Sequence, residues 1–330
     1  MKNTDDDCLI EICEGIYRIK VPLPNFHQLL NAYLIRGDDS YTLIDMGENH
    51  PACEKAILEA LSRFGLSWKD TKVLITHLHP DHASCLNRVY SPDMQIYGHF
   101  LSPLQELLEC RSVIPTILQF NAMIEDNRGD GRKTLVTEEL FDLPTMHAPV
   151  VRLNEGDSYQ AGEYNFDVLE TPGHDNTHLC LFDKNTKVMI IGDMLLDDRF
   201  PTTVTYDMQN NVLEKYFDSL KKIGTLSADV VLPGHGGNIT NLEERIQETL
   251  DFHEAQLCIV RDAVSRGLTS YRDISYEYYK DNLESWKKSS LRSKYFTVGQ
   301  LLSYLIYLVH LGDLQMTMSN TDFSVDIKRS

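Results

Sequence analysis

Between residues 76 and 82 the chain reads Thr-His-Leu-His-Pro-Asp-His, three imidazoles and one carboxylate within six residues. Neutral imidazole and carboxylate are the usual ligands of zinc and similar divalent ions. One tetrahedral ion cannot comfortably use all four groups at this spacing, whereas two ions side by side can. The same chemistry recurs at His174 in Thr171-Pro-Gly-His174, at Asp193 in Ile191-Gly-Asp193 and at His235 in Pro233-Gly-His-Gly236. Five of the twelve histidines fall in three of these segments, which argues against a loop that is histidine-rich by accident.

Each segment follows a short apolar run: Val73–Ile75, Val168–Leu169, Met189–Ile191 and Val230–Leu232. Such a run, left through Pro or Gly, reads as a buried strand ending in a loop. Glycine lets the backbone pass close to an ion, and proline stiffens the turn. Further strands are expected in Ile10–Ile19, Asn31–Ile35, Tyr41–Ile44, Gln95–Tyr97, Val150–Leu153 and His178–Phe182, with hairpin chemistry at Gly37-Asp-Asp39. Helices are expected over Pro51–Phe64, closed by Gly65, over Ala83–Val89 and over Val212–Ile223. Residues 100–147 break this alternation with helically spaced leucines and isoleucines, and read as an insertion that builds a lid or substrate pocket.

A chain of 330 residues is long enough for a large domain and a smaller one, drawn here as 1–240 and 241–330. No apolar run approaches membrane-spanning length, and the polar, acidic N-terminus is unlike a signal peptide, so a cytoplasmic location is expected. Seven cysteines without a C-x-x-C pair suggest reduced, mostly buried thiols; Cys85, close behind the histidine loop, reads as packing rather than as a ligand. The net charge of −18 opposes a generic polyanion binder. That charge lies in residues 1–240, since residues 241–330 hold 11 Lys and Arg against 13 Asp and Glu.

The four segments together resemble the metallo-β-lactamase-fold hydrolases, over roughly residues 10–240. That resemblance implies an α+β four-layer αββα sandwich with a dinuclear site along one edge of its two sheets. It assigns His77, His79 and His174 to one ion, Asp81, His82 and His235 to the other, and Asp193 as the bridge. The bridging Asp points to the glyoxalase II-like, lactonase and phosphodiesterase branches, and His79 stands where redox di-iron members carry Glu. Ala83-Ser84-Cys85 replaces the glycines that usually follow the last His of the motif. The implied cofactors are two divalent ions, zinc foremost, with manganese or iron as alternatives. They would activate a hydroxide and polarise the substrate oxygen, with Asp81 as ligand and catalytic group and no Ser or Cys nucleophile. His178 reads either as a partner that fixes a ligand or as a structural histidine.

Behind residue 241 the pattern of helices over Leu242–Arg266, Ser270–Tyr279 and Val298–Leu311, then a hairpin over Leu314–Ile327, resembles a winged-helix module. Without a basic stripe it is expected to pack on the hydrolase or form a homodimer interface rather than bind nucleic acid. The expected substrate is a small ester-like molecule, a thioester or lactone. A phosphodiesterase or ribonuclease, or a nucleic-acid-binding regulator, are the competing functions.

Overall fold

In a computed structural model, the chain is described over residues 9–26, 28–37, 40–100, 149–205, 207–282, 291–318 and 325–329. The insertion expected at 100–147 and the Gly37–Asp39 turn therefore lie wholly or mostly outside the described residues. What is described divides into two compact units. One comprises residues up to 100, 149–201 and 219–245; the other comprises 202–218 and 246 onwards.

The first unit is built on two sheets. The first runs in spatial order through β1 (Leu9–Cys13), β2 (Ile16–Leu23), β3 (Gln28–Arg36), β4 (Tyr41–Ile44), β5 (Thr71–Leu74), β6 (Ile96–Gly98) and β7 (Val150–Arg152). Its first four strands are antiparallel, and its last four are parallel. The second sheet has the order β12 (Val230–Pro233), β11 (Val188–Gly192), β10 (Leu179–Asp183), β9 (Tyr164–Glu170) and β8 (Ser158–Ala161). Strands β10 and β11 are buried along their whole length, as their unbroken apolar runs require. The sheets face each other across one core. Ile16, Tyr33, Ile35, Ile44 and Leu74 from the first meet Phe166, Val168, Leu181, Ile190 and Leu232 from the second. Truncating the fully buried Phe166 to Ala would cost about 3–5 kcal/mol.

Helix α1 (Pro51–Ser62) packs on β2 and opens with Pro51, while the Nδ1 of His50 caps it by accepting from Ala52 N at 3.1 Å. Two single turns, α2 (Pro80–Ala83) and α3 (Leu86–Val89), replace the continuous helix expected over 83–89. Helix α4 (Val212–Gly224) covers the second sheet through its C-terminal half, where Leu220 and Ile223 are buried and Ser219 Oγ donates to the Pro172 carbonyl at 2.8 Å. The sandwich thus has helices outside both sheets.

Strand direction explains why the four chemical segments share one edge. Strands β11 and β12 are parallel, and β9 runs with them because both flank the antiparallel β10. All three therefore deliver their C-terminal loops to one side. The loop after β5 joins them there, with Leu179 N donating to the Thr76 carbonyl at 2.9 Å.

The second unit holds α5 (Leu242–Ser265) from residue 246 onwards, then α6 (Tyr271–Tyr279), α7 (Leu291–His310) and the antiparallel pair β13 (Leu314–Met318) and β14 (Val325–Arg329). Helix α7 begins seven residues before the expected Val298. Among the described residues, no helix is long and apolar enough to cross a membrane.

Candidate metal centre

The loop after β5 is held by a buried carboxylate that sequence reasoning did not single out. Asp45 directly follows β4 in the left-handed region, φ 58°, a conformation that Asp tolerates better than most residues. Its Oδ1 accepts from Thr76 N at 2.8 Å, and its Oδ2 accepts from Thr76 Oγ1 and from His82 Nδ1, each at 2.8 Å. Because Thr76 Oγ1 gives its proton to Asp45, it can only accept from His77 Nδ1, 3.1 Å away. One carboxylate thereby sets the tautomer of two imidazoles and turns both Nε2 lone pairs inward.

A second network fixes the loop after β12. Asn31 N donates to the Gly234 carbonyl at 2.7 Å, and its side-chain amide donates to the carbonyls of Pro233 and Gly236 at 3.0 and 3.1 Å. Tyr33 Oη adds a bond to the Pro233 carbonyl at 2.7 Å, and Lys20 Nζ one to Gly236 at 3.1 Å. His235 then donates from Nδ1 to the Leu29 carbonyl at 2.8 Å, which again directs Nε2 inward.

Every side chain that the sequence nominated converges here. Ring centroids of His77 lie 4.6, 4.1 and 5.1 Å from those of His79, His82 and His174. Three groups bring ligand-type atoms within 4.8 Å of one another and could hold an ion: His77, His79 and His174; His77, His82 and Asp193; Asp81, His82 and His235. Asp193 lies between them. Its Oδ2 is 3.8 Å from His174 Nε2 and 3.5 Å from His235 Nε2, and its Oδ1 is 3.4 Å from His82 Nε2. Asp81 Oδ2 stands 3.3 Å from His235 Nε2.

His178 sits behind Asp193. Its Nε2 accepts from Asp193 N at 3.1 Å and its Nδ1 donates to Thr171 Oγ1 at 2.7 Å. Burial and the neighbouring His174 push its pKa down to about 3, so it stays a neutral acceptor. Of its two sequence readings, the geometry matches the partner that fixes the Asp193 backbone.

The donor set fits divalent cations. The buried Nε2 of His77 has no hydrogen-bond partner among the described residues, an arrangement that costs free energy unless something binds there. Gly234 keeps the space open, since a Cβ at that position would press on Asp193 Oδ1 and lie 2.8 Å from His82 Cε1. Burial and the surrounding imidazoles, His82 first, hold the pKa of His77 well below its usual value. Burial opposes charge on His82 and His235 too, but the carboxylates beside them prevail and raise both, Asp193 foremost. Burial likewise opposes ionisation of Asp81, yet its bond to His235 and the charge of His82 lower its pKa.

Cys85 is buried outside these groups, its thiol pushed up to about 12 chiefly by burial, as expected of a packing residue. Thr203, ten residues after Asp193, bonds Gln300 and Ser303 within the second unit.

Residues 29–92 and 125–235 match the family described as the metallo-beta-lactamase superfamily. A probable metallo-hydrolase of Bacillus subtilis, YqjP, is 28% identical over 249 residues, covering 72% of this chain and 76% of the relative. The atrochrysone carboxyl ACP thioesterase of Aspergillus fumigatus is 25% identical over 223 residues, 67% of this chain; the match spans 55% of the thioesterase's length. Among solved structures, a metallo-beta-lactamase family protein of Thermus thermophilus shares the fold at a TM-score of 0.79 and 22% identity, over 97% of this chain and all of its own. By the extent of the family match, the chain belongs to the metallo-beta-lactamase superfamily of metal-dependent hydrolases.

Proposed function

We propose that the chain is a dinuclear hydrolase of small ester-like substrates, thioesters before lactones. The observation that carries this reading is the convergence of six ligand-type side chains with Asp193, together with the orphaned Nε2 of His77. His77, His79 and His174 would hold one divalent ion, Asp81, His82 and His235 the other, and Asp193 would bridge. Bound there, the ions would supply Lewis acidity and a water acidic enough to attack at neutral pH. The chain's own part is orientation and proton handling. Asp45 and Thr76 fix His77 and His82, Leu29 fixes His235, and His178 fixes the backbone of Asp193. Asp81, ionised and the more accessible of the two ligand-type carboxylates, at 14% side-chain exposure against 9% for Asp193, would orient the attacking water and carry its proton to the leaving group.

The thioester preference rests on the thioesterase among the relatives. Zinc is the proposed metal because imidazole and carboxylate suit it. For the C-terminal residues 241–330 we favour a packing or homodimer role over nucleic-acid contact, since they hold 11 cationic against 13 anionic residues. The test is a metal-loaded and chelated comparison on acyl-CoA and acyl-carrier thioesters, lactones, phosphodiesters and β-lactams. Metal-dependent turnover of a thioester or lactone is expected; turnover confined to phosphodiesters or β-lactams would contradict the substrate class.

A further inference from the structure

Three of the candidate ligand imidazoles are anchored in the same sense. His77, His82 and His235 each engage an oxygen through Nδ1 and present Nε2 to the site. For His79 the nearby oxygen is on the other side of the ring: its Nε2 lies 3.7 Å from Asp175 Oδ2, just beyond hydrogen-bonding distance. Asp175 directly follows His174 and is part of none of the side-chain groups that could hold an ion. Its other oxygen, Oδ1, accepts from Thr177 N at 2.7 Å and from the Thr177 hydroxyl. That hydroxyl accepts in turn from Leu78 N at 3.1 Å, the backbone between His77 and His79. One oxygen of Asp175 therefore ties the His174 loop to the His77 loop, and the other faces the His79 ring. At 23% and 24% side-chain exposure, the Asp175 and His79 pair sits at the rim, partly sheltered from water that would otherwise compete for the imidazole.

We propose that Asp175 is a positioning residue for His79, accepting its Nε2–H and leaving the Nδ1 lone pair for a divalent cation. The proposal rests on the dinuclear reading above. A shift of roughly 1 Å brings the pair into hydrogen-bonding range. A carboxylate on the far nitrogen of a ligand imidazole fixes its tautomer and raises its basicity, with effects of about 10–100-fold on metal affinity.

Asp175→Asn is the informative variant. It retains an Oδ1 for Thr177 and points an amide N–H at His79, so the turn survives while the acceptor is lost. Thr177→Val is its counterpart: it cuts the tie to Leu78 and leaves the Asp175 carboxylate. Zinc affinity of the full chain is measured by competition with a chromophoric chelator, and the His79 tautomer by nitrogen-15 NMR of the zinc-loaded protein. Expected are a loss of about 10–100-fold in the affinity of one zinc in Asp175→Asn, a smaller loss in Thr177→Val, and a wild-type His79 protonated at Nε2. Unchanged zinc affinity in Asp175→Asn, an equal loss in Thr177→Val, or a proton on His79 Nδ1 would overturn the proposal. A wild-type chain that binds no zinc overturns both it and the dinuclear reading.

Discussion

The Oδ2 of Asp45 accepts from His82 Nδ1 at 2.8 Å while also taking the Thr76 hydroxyl proton at the same distance, so this carboxylate orients His82 directly and His77 through Thr76. Asp45→Asn keeps a side chain that tolerates the left-handed backbone but removes the charge. It is expected to fold and to lose about 10–100-fold in metal affinity. Chelator competition on the intact chain measures this, and an unchanged affinity would remove Asp45 from the site's support.

Gly234→Ala tests the space around Asp193. The added methyl would press on Asp193 and His82 with no flexible side chain to yield, so the ligands must shift. Since misplacement by about 1 Å can cost about 100-fold in rate, turnover should fall at least that far. Metal content by elemental analysis should fall with it. A fully loaded, fully active Gly234→Ala protein would show that the site is roomier than described.

Metal uptake should release protons. In the metal-free chain, carboxylates raise His82 and His235 above the usual imidazole value, Asp193 foremost, which favours the protonated rings. A cation can bind only the deprotonated ring, so affinity should weaken as pH falls and strengthen as it rises. Calorimetric zinc titrations in buffers of different ionisation enthalpy count the protons displaced. Buffer-independent enthalpies at pH 7 would contradict this.

The second unit carries its own acid sensitivity. His253 is fully buried among Tyr216, Phe217, Phe252 and Tyr304, with Nδ1 2.9 Å from Tyr304 Oη. Burial lowers its pKa from 6.5 to about 4. Between those values the unfolded chain binds the proton and the folded chain does not, so stability is intact above pH 6.5 and declines towards pH 4. The loss is on the order of 3 kcal/mol. His253→Phe should show a shallower fall in thermal midpoint than wild type between pH 7 and pH 4.5; parallel curves would assign the acid loss elsewhere.

Much of the fold was legible because its signals are local. Apolar runs such as Val188–Ile191 mark strands whatever lies around them, and Pro51 with Gly65 brackets a helix. Strand β8, Ser158–Ala161, escaped because only Tyr159 and Ala161 face the core, too short an alternation to stand out. The 83–89 stretch broke into two turns, and Cys85 N donates to the Gly47 carbonyl between them. The seven ligand-type residues could be named because their types and loop contexts repeat. Asn31 could not, since its amide serves carbonyls about two hundred residues away. Asp45 and Asp175 escaped for a related reason: nothing adjacent in sequence announces an acceptor until the loops are brought together.

In the proposed dinuclear centre, Asp193 stands between two cations. Elemental analysis of the purified full chain, run beside Asp193→Ala, tests it most directly. Close to two transition-metal ions per wild-type chain are expected, together with a clear loss of metal and turnover in a still-folded Asp193→Ala variant. A wild-type chain that is active without metal, or an Asp193→Ala chain with unchanged metal and turnover, would contradict it.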